Sequence, residues 1–144
     1  MSGTPGKTRA LNVYQMGTYY FLDLPGYGYA KAGKSDLAAF RRLITHTLDR
    51  SRLAGVVWLL DARRDPSDED RDIQDQFAAG ETRILAAITK SDKLPRGLVL
   101  QRERELRALL QLDEDQAIVT SARTGAGVAE LREAVAELVK KAGE

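Results

Sequence analysis

Residues 18–31 read TYYFLDLPGYGYAK, and the prediction of the fold starts from this stretch. Its first part, Thr18–Leu22, is rich in β-branched and aromatic residues, which predicts a buried strand. The strand leads into Asp23, and a loop punctuated by Gly26 and Gly28 follows. An acidic residue at a strand end before a glycine-rich loop is typical of ligand sites at the carboxyl edge of open α/β sheets. The carboxylate suits a hydrated Mg²⁺, and a glycine lets a backbone N–H approach a terminal phosphate.

The Asp-x-x-Gly motif of this stretch is too short to establish a nucleotide site by itself. At average composition, about half of all chains of this length contain it by chance. The alternative is a turn that ends the strand and binds no ligand. The residues of the other loops distinguish a nucleotide site from such a turn.

The composition is that of a globular protein. With 144 residues and 43% hydrophobic content, we expect a single domain over residues 1–144. The 22 Lys and Arg nearly balance the 21 Asp and Glu, so net charge does not indicate a general polyanion binder. Cysteine is absent, which excludes disulfides, thiolate metal sites and cysteine nucleophiles. No apolar run approaches the roughly 18 residues of a membrane span, and Met1–Ala10 does not resemble a signal peptide, so we expect a cytoplasmic protein without a membrane partner.

Strand and helix patterns alternate along the chain. Leu11–Tyr14 is predicted to form a hairpin with Thr18–Leu22. Apolar runs without alternation predict strands buried on both faces at Val56–Leu60, Ile84–Ile88 and Ala117–Val119. Helical spacing and capping residues predict helices over Ser35–Arg52, from Pro66 to Gly80, from Pro95 to Leu112, and after Gly127. This order predicts an α/β fold with a mostly parallel sheet between two helical layers.

The loop after the second of these buried strands reads Thr89-Lys90-Ser91-Asp92. A lysine stem can lie over a purine face, and an aspartate carboxylate can accept two N–H groups from the N1/N2 edge of guanine. Adenine lacks that pair of donors, so the aspartate would select the base. At average composition, Thr-Lys-x-Asp arises by chance in only about a few per cent of chains this long. The alternative is a polar loop that begins a helix.

The loop after the last strand reads Thr120-Ser121-Ala122. Its small side chains let backbone N–H groups approach a carbonyl such as guanine O6. Three small residues are unspecific alone, and their position carries the interpretation. In a parallel sheet this loop, Thr89–Asp92 and Asp23–Gly26 would all lie at the same edge.

Four segments together resemble the EngB family of GTPases: Thr4–Thr8 (TPGKT), Asp23–Lys31 (DLPGYGYAK), Thr89–Asp92 (TKSD) and Thr120–Ala122 (TSA). The resemblance covers essentially all 144 residues and implies a P-loop GTPase-type domain in three layers. It also implies GTP or GDP and Mg²⁺ as ligands. The family's role is assembly of the large ribosomal subunit in bacteria, with a link to cell division and septation, so the ribosome and its rRNA are the expected partners.

The resemblance implies a role for each matching residue. Thr8 would meet Mg²⁺ through its hydroxyl and carbonyl, Asp23 would bind the ion through water, and the N–H of Gly26 would sense the γ-phosphate. Lys90 and Asp92 would select guanine. The nucleotide-binding residues carried over are Gly6, Lys7, Thr8, Arg9 and Ala10 of the first switch loop, Asp23, Leu24, Pro25 and Gly26 of the second, and Thr89, Lys90, Ser91, Asp92, Thr120, Ser121 and Ala122 around the base.

The sequence departs from the family in one large respect: no G-x-x-x-x-G-K-[ST] phosphate loop precedes the first switch loop. The expected domain therefore lacks the first central strand and the first helix, which leaves Thr18–Leu22 and Val56–Leu60 without a shared partner. We expect impaired nucleotide binding. The resemblance, together with the roughly 30 or more residues that a strand–loop–helix unit needs, favours a chain that is missing about 40–50 upstream residues. Tyr27 also stands where many GTPases have a glutamine, so the catalytic residue stays unknown and hydrolysis should be slow.

An alternative function is a nucleotide-independent remnant that binds the ribosome or RNA. Basic residues along the second switch and its helix would then contact phosphates, or they form a solvated face: Lys31, Lys34, Arg41, Arg42, Arg50 and Arg52. His46 is the only histidine, which leaves no second member for a histidine-based site, and we expect it on a helix surface. We expect a monomer.

Overall fold

The computed structural model describes residues 12–24, 38, 39, 42, 43, 45, 46 and 53–143. The chain divides into two compact units, Met1–Thr47 and Leu48–Glu144. The prediction of a single domain stays a prediction.

The first unit contains a β-hairpin. Strand β1 (Asn12–Gln15) pairs antiparallel with β2 (Tyr20–Asp23), and Tyr14 lies opposite Phe21. Gly17 has a φ of +83° in the turn between them, a conformation that glycine adopts without a steric penalty. The predicted hairpin is therefore confirmed.

The sequence also predicts that Thr18–Leu22 is buried, and this prediction is wrong. Tyr20 is 62% exposed, and Asp23 is exposed as well. The strand belongs to a two-stranded sheet. Burial of a sheet face takes a second packed layer, which strand composition alone does not reveal.

Residues 38, 39, 42, 43, 45 and 46 are helical. They fall within the predicted helix Ser35–Arg52, the remainder of which lies outside the described residues. His46 is exposed on this helix, as expected from the sequence.

The second unit is built on three parallel strands in the order β3-β4-β5. Leu60, Ile88 and Val119 are aligned across this sheet. The elements of this unit are strands β3 (Val56–Asp61), β4 (Ile84–Thr89) and β5 (Ala117–Val119), and helices α1 (Asp68–Ala79), α2 (Val99–Leu110) and α3 (Val128–Ala142). Strands and helices thus alternate as predicted, and the α/β class with a mostly parallel sheet is confirmed.

Local chemistry explains where α1 begins and ends. Ser67 caps its first turn: the Ser67 hydroxyl accepts from the N–H of Asp70, and the Asp70 carboxylate accepts from the N–H of Ser67. Such a reciprocal capping box satisfies two N–H groups that the helix itself leaves unpaired. The helix stops at Gly80, whose N–H bonds back to the carbonyl of Gln76. The sequence predicted both ends of this helix.

One cluster of core residues in the second unit lies between the sheet and α2. Trp58 and Leu60 of β3 and Ile88 of β4 pack with Leu106 and Leu110 of α2, and all five are buried. Because β4 is the central strand, its Leu85–Ile88 segment is fully buried. This core holds the carboxyl ends of the three strands in a fixed arrangement.

The prediction that Val56–Leu60 is buried on both faces is wrong at one residue. Leu59 is 68% exposed, whereas Leu60 is 7% exposed. Within the described part of the chain, β3 pairs with β4 alone, so it forms an edge of the sheet.

Candidate functional site

Two polar loops lie side by side at the carboxyl edge of the parallel sheet. We call them the β4 loop (Thr89–Asp92) and the β5 loop (Thr120–Ala122). The N–H of Thr120 donates to the carbonyl of Ile88 at 2.7 Å, and the N–H of Ser91 donates to the carbonyl of Thr120 at 3.2 Å. The backbone itself therefore joins the two loops, as the sequence predicted from their positions after parallel strands.

Lys90 begins the turn of the β4 loop in the left-handed conformation, with φ 62° and ψ 34°. A residue with a Cβ adopts this region rarely and at a cost of about 1–2 kcal/mol. Its carbonyl accepts a hydrogen bond from the N–H of Lys93 at 3.0 Å, which closes the turn. The chain thus bends sharply at Lys90, and the side chain is 58% exposed.

Asp92 is joined to the β5 loop through a side chain. The hydroxyl of Ser121 donates a 2.8 Å hydrogen bond to Oδ1 of Asp92, and it accepts a 3.1 Å bond from the N–H of Thr124. Ser121 is 1% exposed, so this hydroxyl has a fixed position. Its hydrogen bond lowers the pKa of Asp92 from the usual value, because it favours the ionised carboxylate. Asp92 is consequently an oriented, charged acceptor.

The β5 loop is held by glycines further along the chain. The N–H of Gly125 donates to the carbonyl of Ser121 at 2.8 Å. Gly127 has a φ of +71°, and a Cβ at this position would overlap the carbonyl oxygen of Val119. Only glycine fits such a close approach of backbone to backbone. These contacts fix the conformation of the β5 loop and lead the backbone into α3.

Ala122 is exposed at the end of the β5 loop. Among the residues that the structure describes, its N–H donates no hydrogen bond. An exposed N–H beside a small side chain can donate to a carbonyl oxygen of a ligand. That this N–H meets the O6 atom of guanine stays a prediction.

The other predicted residues of these loops have structural contacts. The Thr89 hydroxyl donates to the carbonyl of Leu60 at 3.2 Å, and the Thr120 hydroxyl donates to the carbonyl of Ile88 at 3.3 Å. Ser91 and Thr120 are buried. Lys90, Asp92 and Ala122 are thus the members of the two loops that remain available to a ligand.

Asp61 and Arg63 adjoin the β4 loop, and sequence reasoning missed them. Arg63 forms a two-pronged ion pair with Asp61, with Nη2 2.8 Å from Oδ2 and Nε 3.0 Å from Oδ1. The ammonium of Lys90 lies 3.8 Å from Oδ2 of Asp61. The available signal was an aspartate at a third parallel strand end, with an arginine two residues later.

Asp23 ends β2 in the first unit and is exposed, and Leu24 after it is half-buried. Its strand is antiparallel and belongs to the separate two-stranded sheet. That Asp23 converges with the β4 and β5 loops stays a prediction. The remaining predicted site residues lie outside the described residues: Gly6, Lys7, Thr8, Arg9, Ala10, Pro25 and Gly26.

Within the described ranges, no three His, Asp or Glu side chains cluster closely enough to hold a metal ion. A single carboxylate such as Asp23 suits Mg²⁺ when water and nucleotide phosphates supply the other oxygens, because Mg²⁺ keeps much of its hydration in proteins. None of the described helices has the length and apolarity needed to cross a bilayer.

Sequence comparison identifies relatives over nearly the whole chain. It is 39% identical over 140 residues to the probable GTP-binding protein EngB of Syntrophomonas wolfei, covering 96% of this chain and 72% of that protein. The corresponding protein of Gemmatimonas aurantiaca is 43% identical over 141 residues, covering 96% and 69%. No family model matches the chain.

Solved structures share the fold at lower sequence identity. The crystal structure of a probable GTP-binding protein EngB superposes with a TM-score of 0.78 and 16% identity, over 93% of this chain and 85% of that one. Era, in complex with MgGDPNP and nucleotides 1506–1542 of 16S ribosomal RNA, gives 0.69 and 24%, over 96% and 47%. Both likenesses concern the course of the backbone.

Proposed function

Since this chain belongs to the EngB family of GTP-binding proteins, we propose that the β4 and β5 loops bind the base of GTP and GDP. The single observation that supports this most directly is the hydrogen bond from Ser121 to Asp92. This hydrogen bond orients the ionised carboxylate of Asp92, which lies where the two loops meet. A carboxylate with a fixed direction can distinguish bases by the donors on their edges.

Each available residue has a role in this proposal. Asp92 accepts hydrogen bonds from N1–H and the N2 amino group of guanine. The stem of Lys90 covers one face of the purine, and the N–H of Ala122 donates to O6. Adenine offers an acceptor at N1 and an amino group at C6, so it would leave both Asp92 and Ala122 without partners. The unpaired polar groups would then disfavour adenine.

We propose Asp23 and Thr8 as the residues for Mg²⁺, which would neutralise phosphate charge. Asp23 would hold the ion through water, and Thr8 would reach it with its hydroxyl and carbonyl. Loops that contact the γ-phosphate, among them Gly26, would be released when that phosphate is lost. The chain would then act as a switch that reports which nucleotide is bound.

The biological role proposed for this switch is assembly of the large ribosomal subunit in the cytoplasm of a bacterium, with a link to cell division and septation. Ribosomal RNA is the proposed partner. Hydrolysis of GTP would be slow, because Tyr27 cannot orient an attacking water as glutamine does in other GTPases. A group supplied by the ribosome would then accelerate it.

We propose that the 144 residues themselves bind nucleotides weakly. No G-x-x-x-x-G-K-[ST] motif, which cradles the phosphates in P-loop proteins, precedes the first switch loop. Residues 28–35 (GYAKAGKS) match the pattern by letter, but they follow the second switch loop instead of preceding the first. The base loops alone would provide a few hydrogen bonds and one stacking contact. That corresponds to a dissociation constant of about 1 mM, or roughly −4 kcal/mol.

Titration with nucleosides tests the base site directly. ¹H–¹⁵N NMR spectra are recorded while guanosine or adenosine is added to the full chain. Guanosine should shift the amides of Lys90, Asp92 and Ala122 with a millimolar dissociation constant, and adenosine should not. GDP with Mg²⁺ should also bind weakly, with a dissociation constant above about 1 μM, because no phosphate cradle adds to the contacts of the base and the metal. Sub-micromolar GDP binding would contradict the proposed weak affinity, and equal shifts with adenosine would contradict the base assignment.

A second candidate function is a nucleotide-independent protein that binds ribosomal RNA. The lack of a phosphate loop ahead of the first switch loop favours it, because a chain with few phosphate contacts gains little from a nucleotide. RNA binding should be compared with and without GDP at millimolar concentration. An unchanged affinity, together with no response to guanosine, would support the second candidate.

A further inference from the structure

Asp61 is held rigidly by the residue two positions later. Three groups of Arg63 donate to its carboxylate: the backbone N–H at 2.9 Å, Nε at 3.0 Å and Nη2 at 2.8 Å. Two parallel N–H···O bonds from a guanidinium fix the plane of a carboxylate as well as its position. The side chain of Asp61 is 18% exposed, so little water competes for it.

The carboxylate of Asp61 also keeps its negative charge. Hydrogen bonding from Arg63 holds the pKa of Asp61 well below its usual range. Asp61 is therefore ionised at any physiological pH. It presents a permanent negative charge at the carboxyl end of β3, beside the β4 loop.

The side chain of Lys90, unlike that of Asp61, is exposed and flexible. It is 58% exposed and has four rotatable methylene groups, which carry a large conformational entropy. A lysine that covers a purine face has to keep its stem extended in one direction. Oδ2 of Asp61, a fixed negative charge, lies 3.8 Å from the ammonium.

We propose that Asp61 is a positioning residue for guanine recognition, which acts by anchoring the ammonium of Lys90 so that the lysine stem spans the base. Asp61 touches no atom of the base itself. Arg63 supports it by fixing the carboxylate. The inference rests on the proposed function of the β4 loop and adds a residue from a third strand end to it.

A double-mutant cycle tests whether Asp61 acts through Lys90. Guanosine affinity is measured by NMR titration for the full chain and for Asp61→Asn, Lys90→Met and the double variant. Methionine keeps an apolar stem but removes the charge. We expect Asp61→Asn to weaken guanosine binding about threefold, the range of a partly exposed ion pair. In the Lys90→Met background the same substitution should have no further effect.

The competing explanation is that Asp61 serves only to neutralise Arg63, whose guanidinium also interacts electrostatically with Asp92. In that case the threefold loss would persist in the Lys90→Met background, and the proposal would be overturned. Unchanged guanosine affinity in Asp61→Asn would overturn it too.

Asp65→Asn provides a matched control. Asp65 lies on the same loop and forms a 2.8 Å ion pair with Arg102, so the substitution also removes one carboxylate from an arginine. It should leave guanosine affinity unchanged. A loss equal to that of Asp61→Asn would mean that any charge removed from this loop has the same effect, against the proposal.

A second measurement needs no ligand and separates this inference from the proposed function. ¹³C relaxation of the Lys90 side chain in the free protein should show a lower order parameter at Cε in Asp61→Asn, and no change in Asp65→Asn. If Asp61→Asn does not fold, the measurement is made on Arg63→Gln instead. This variant should also show a lower order parameter at Cε of Lys90. Equal Lys90 mobility in the variants and the parent would overturn the positioning role. If Lys90 is anchored in the parent chain but that chain does not bind guanosine, the proposed function is contradicted and the positioning role is not.

Discussion

The hydroxyl of Ser121 lies 2.8 Å from Oδ1 of Asp92 and donates the hydrogen bond that links two loops 29 residues apart in the sequence. The same hydroxyl accepts the N–H of Thr124. One buried side chain therefore holds the shape of the β5 loop and the direction of the carboxylate on the β4 loop. Loss of either hydrogen bond should therefore change the conformation of both loops.

Replacement of Asp92 by asparagine should change which base is preferred. The amide offers one acceptor and one donor, so it cannot accept both N–H groups of guanine, but it can pair with the C2 carbonyl of xanthine. Guanosine should bind about tenfold more weakly, since hydrogen bonds to a charged group contribute roughly 1.5–3 kcal/mol each. NMR titration with guanosine and xanthosine measures the change.

Asp115→Asn is the control for this substitution, because Asp115 is exposed in the turn that precedes β5, at the opposite end of the strand. It should leave both affinities unchanged. If Asp92→Asn kept the guanosine preference, Asp92 would not be the residue that selects the base.

Ser121→Ala should raise the pKa of Asp92 towards its usual value, because the hydrogen bond that favours the ionised form is gone. A carboxyl group whose pKa is lowered by folding stabilises the protein above its unfolded pKa. That contribution declines as the pH falls below about 4 towards the folded pKa. The parent should thus lose more stability on acidification than the variant. A ¹³C titration of the Asp92 carboxyl carbon reports the pKa.

At neutral pH, Ser121→Ala should also lower the free energy of unfolding by about 1–3 kcal/mol, since the N–H of Thr124 loses its acceptor. Ser67→Ala removes a hydroxyl that caps α1 far from this contact in the chain. It should leave the pKa of Asp92 in place. A shift of that pKa in Ser67→Ala, or none in Ser121→Ala, would refute the assigned cause.

Gly127→Ala should destabilise the second unit strongly. The new Cβ would overlap the carbonyl oxygen of Val119, and the residue has a φ of +71°. We expect a loss of about 3 kcal/mol or more in a denaturant titration, from strain and clash together. Gly125→Ala is the matched comparison: its φ is +83°, but a Cβ there has nothing within 4 Å. It should cost only about 1 kcal/mol, and equal losses would show that backbone strain, not the clash, dominates.

Leu60→Ala and Leu59→Ala should differ although the residues are adjacent and identical. Leu60 is 7% exposed in the core, so its truncation should cost about 2–5 kcal/mol. Leu59 is 68% exposed, and its truncation should cost less than about 1 kcal/mol. Urea unfolding of both variants gives the comparison. A large loss at Leu59 would mean that this face of β3 is covered in solution.

The sequence predicts the elements of the second unit well because their signals are local. Val56–Leu60 is a short apolar run, and it forms a strand that is one residue longer. Ser67 and Gly80 delimit α1 through hydrogen bonds to residues three or four positions away. Such contacts depend on neighbours in the chain, so a pattern of residue types contains them.

The sequence does not predict properties that depend on distant partners. The exposure of Leu59 follows from the strand order, which an apolar run does not specify. The approach of Lys90 to Asp61 brings together two strand ends 29 positions apart. The motif at residues 89–92 identified Lys90 and Asp92, but the residues that hold them belong to other loops and have no motif of their own.

The groups proposed to recognise the base all belong to the unit that begins at Leu48, whereas Asp23, proposed for the metal, belongs to the unit that ends at Thr47. Choosing a base and responding to a phosphate are thus assigned to separate stretches of one chain. Substitutions that test the proposed base contacts and substitutions that test the proposed metal contact therefore fall in different units of the chain.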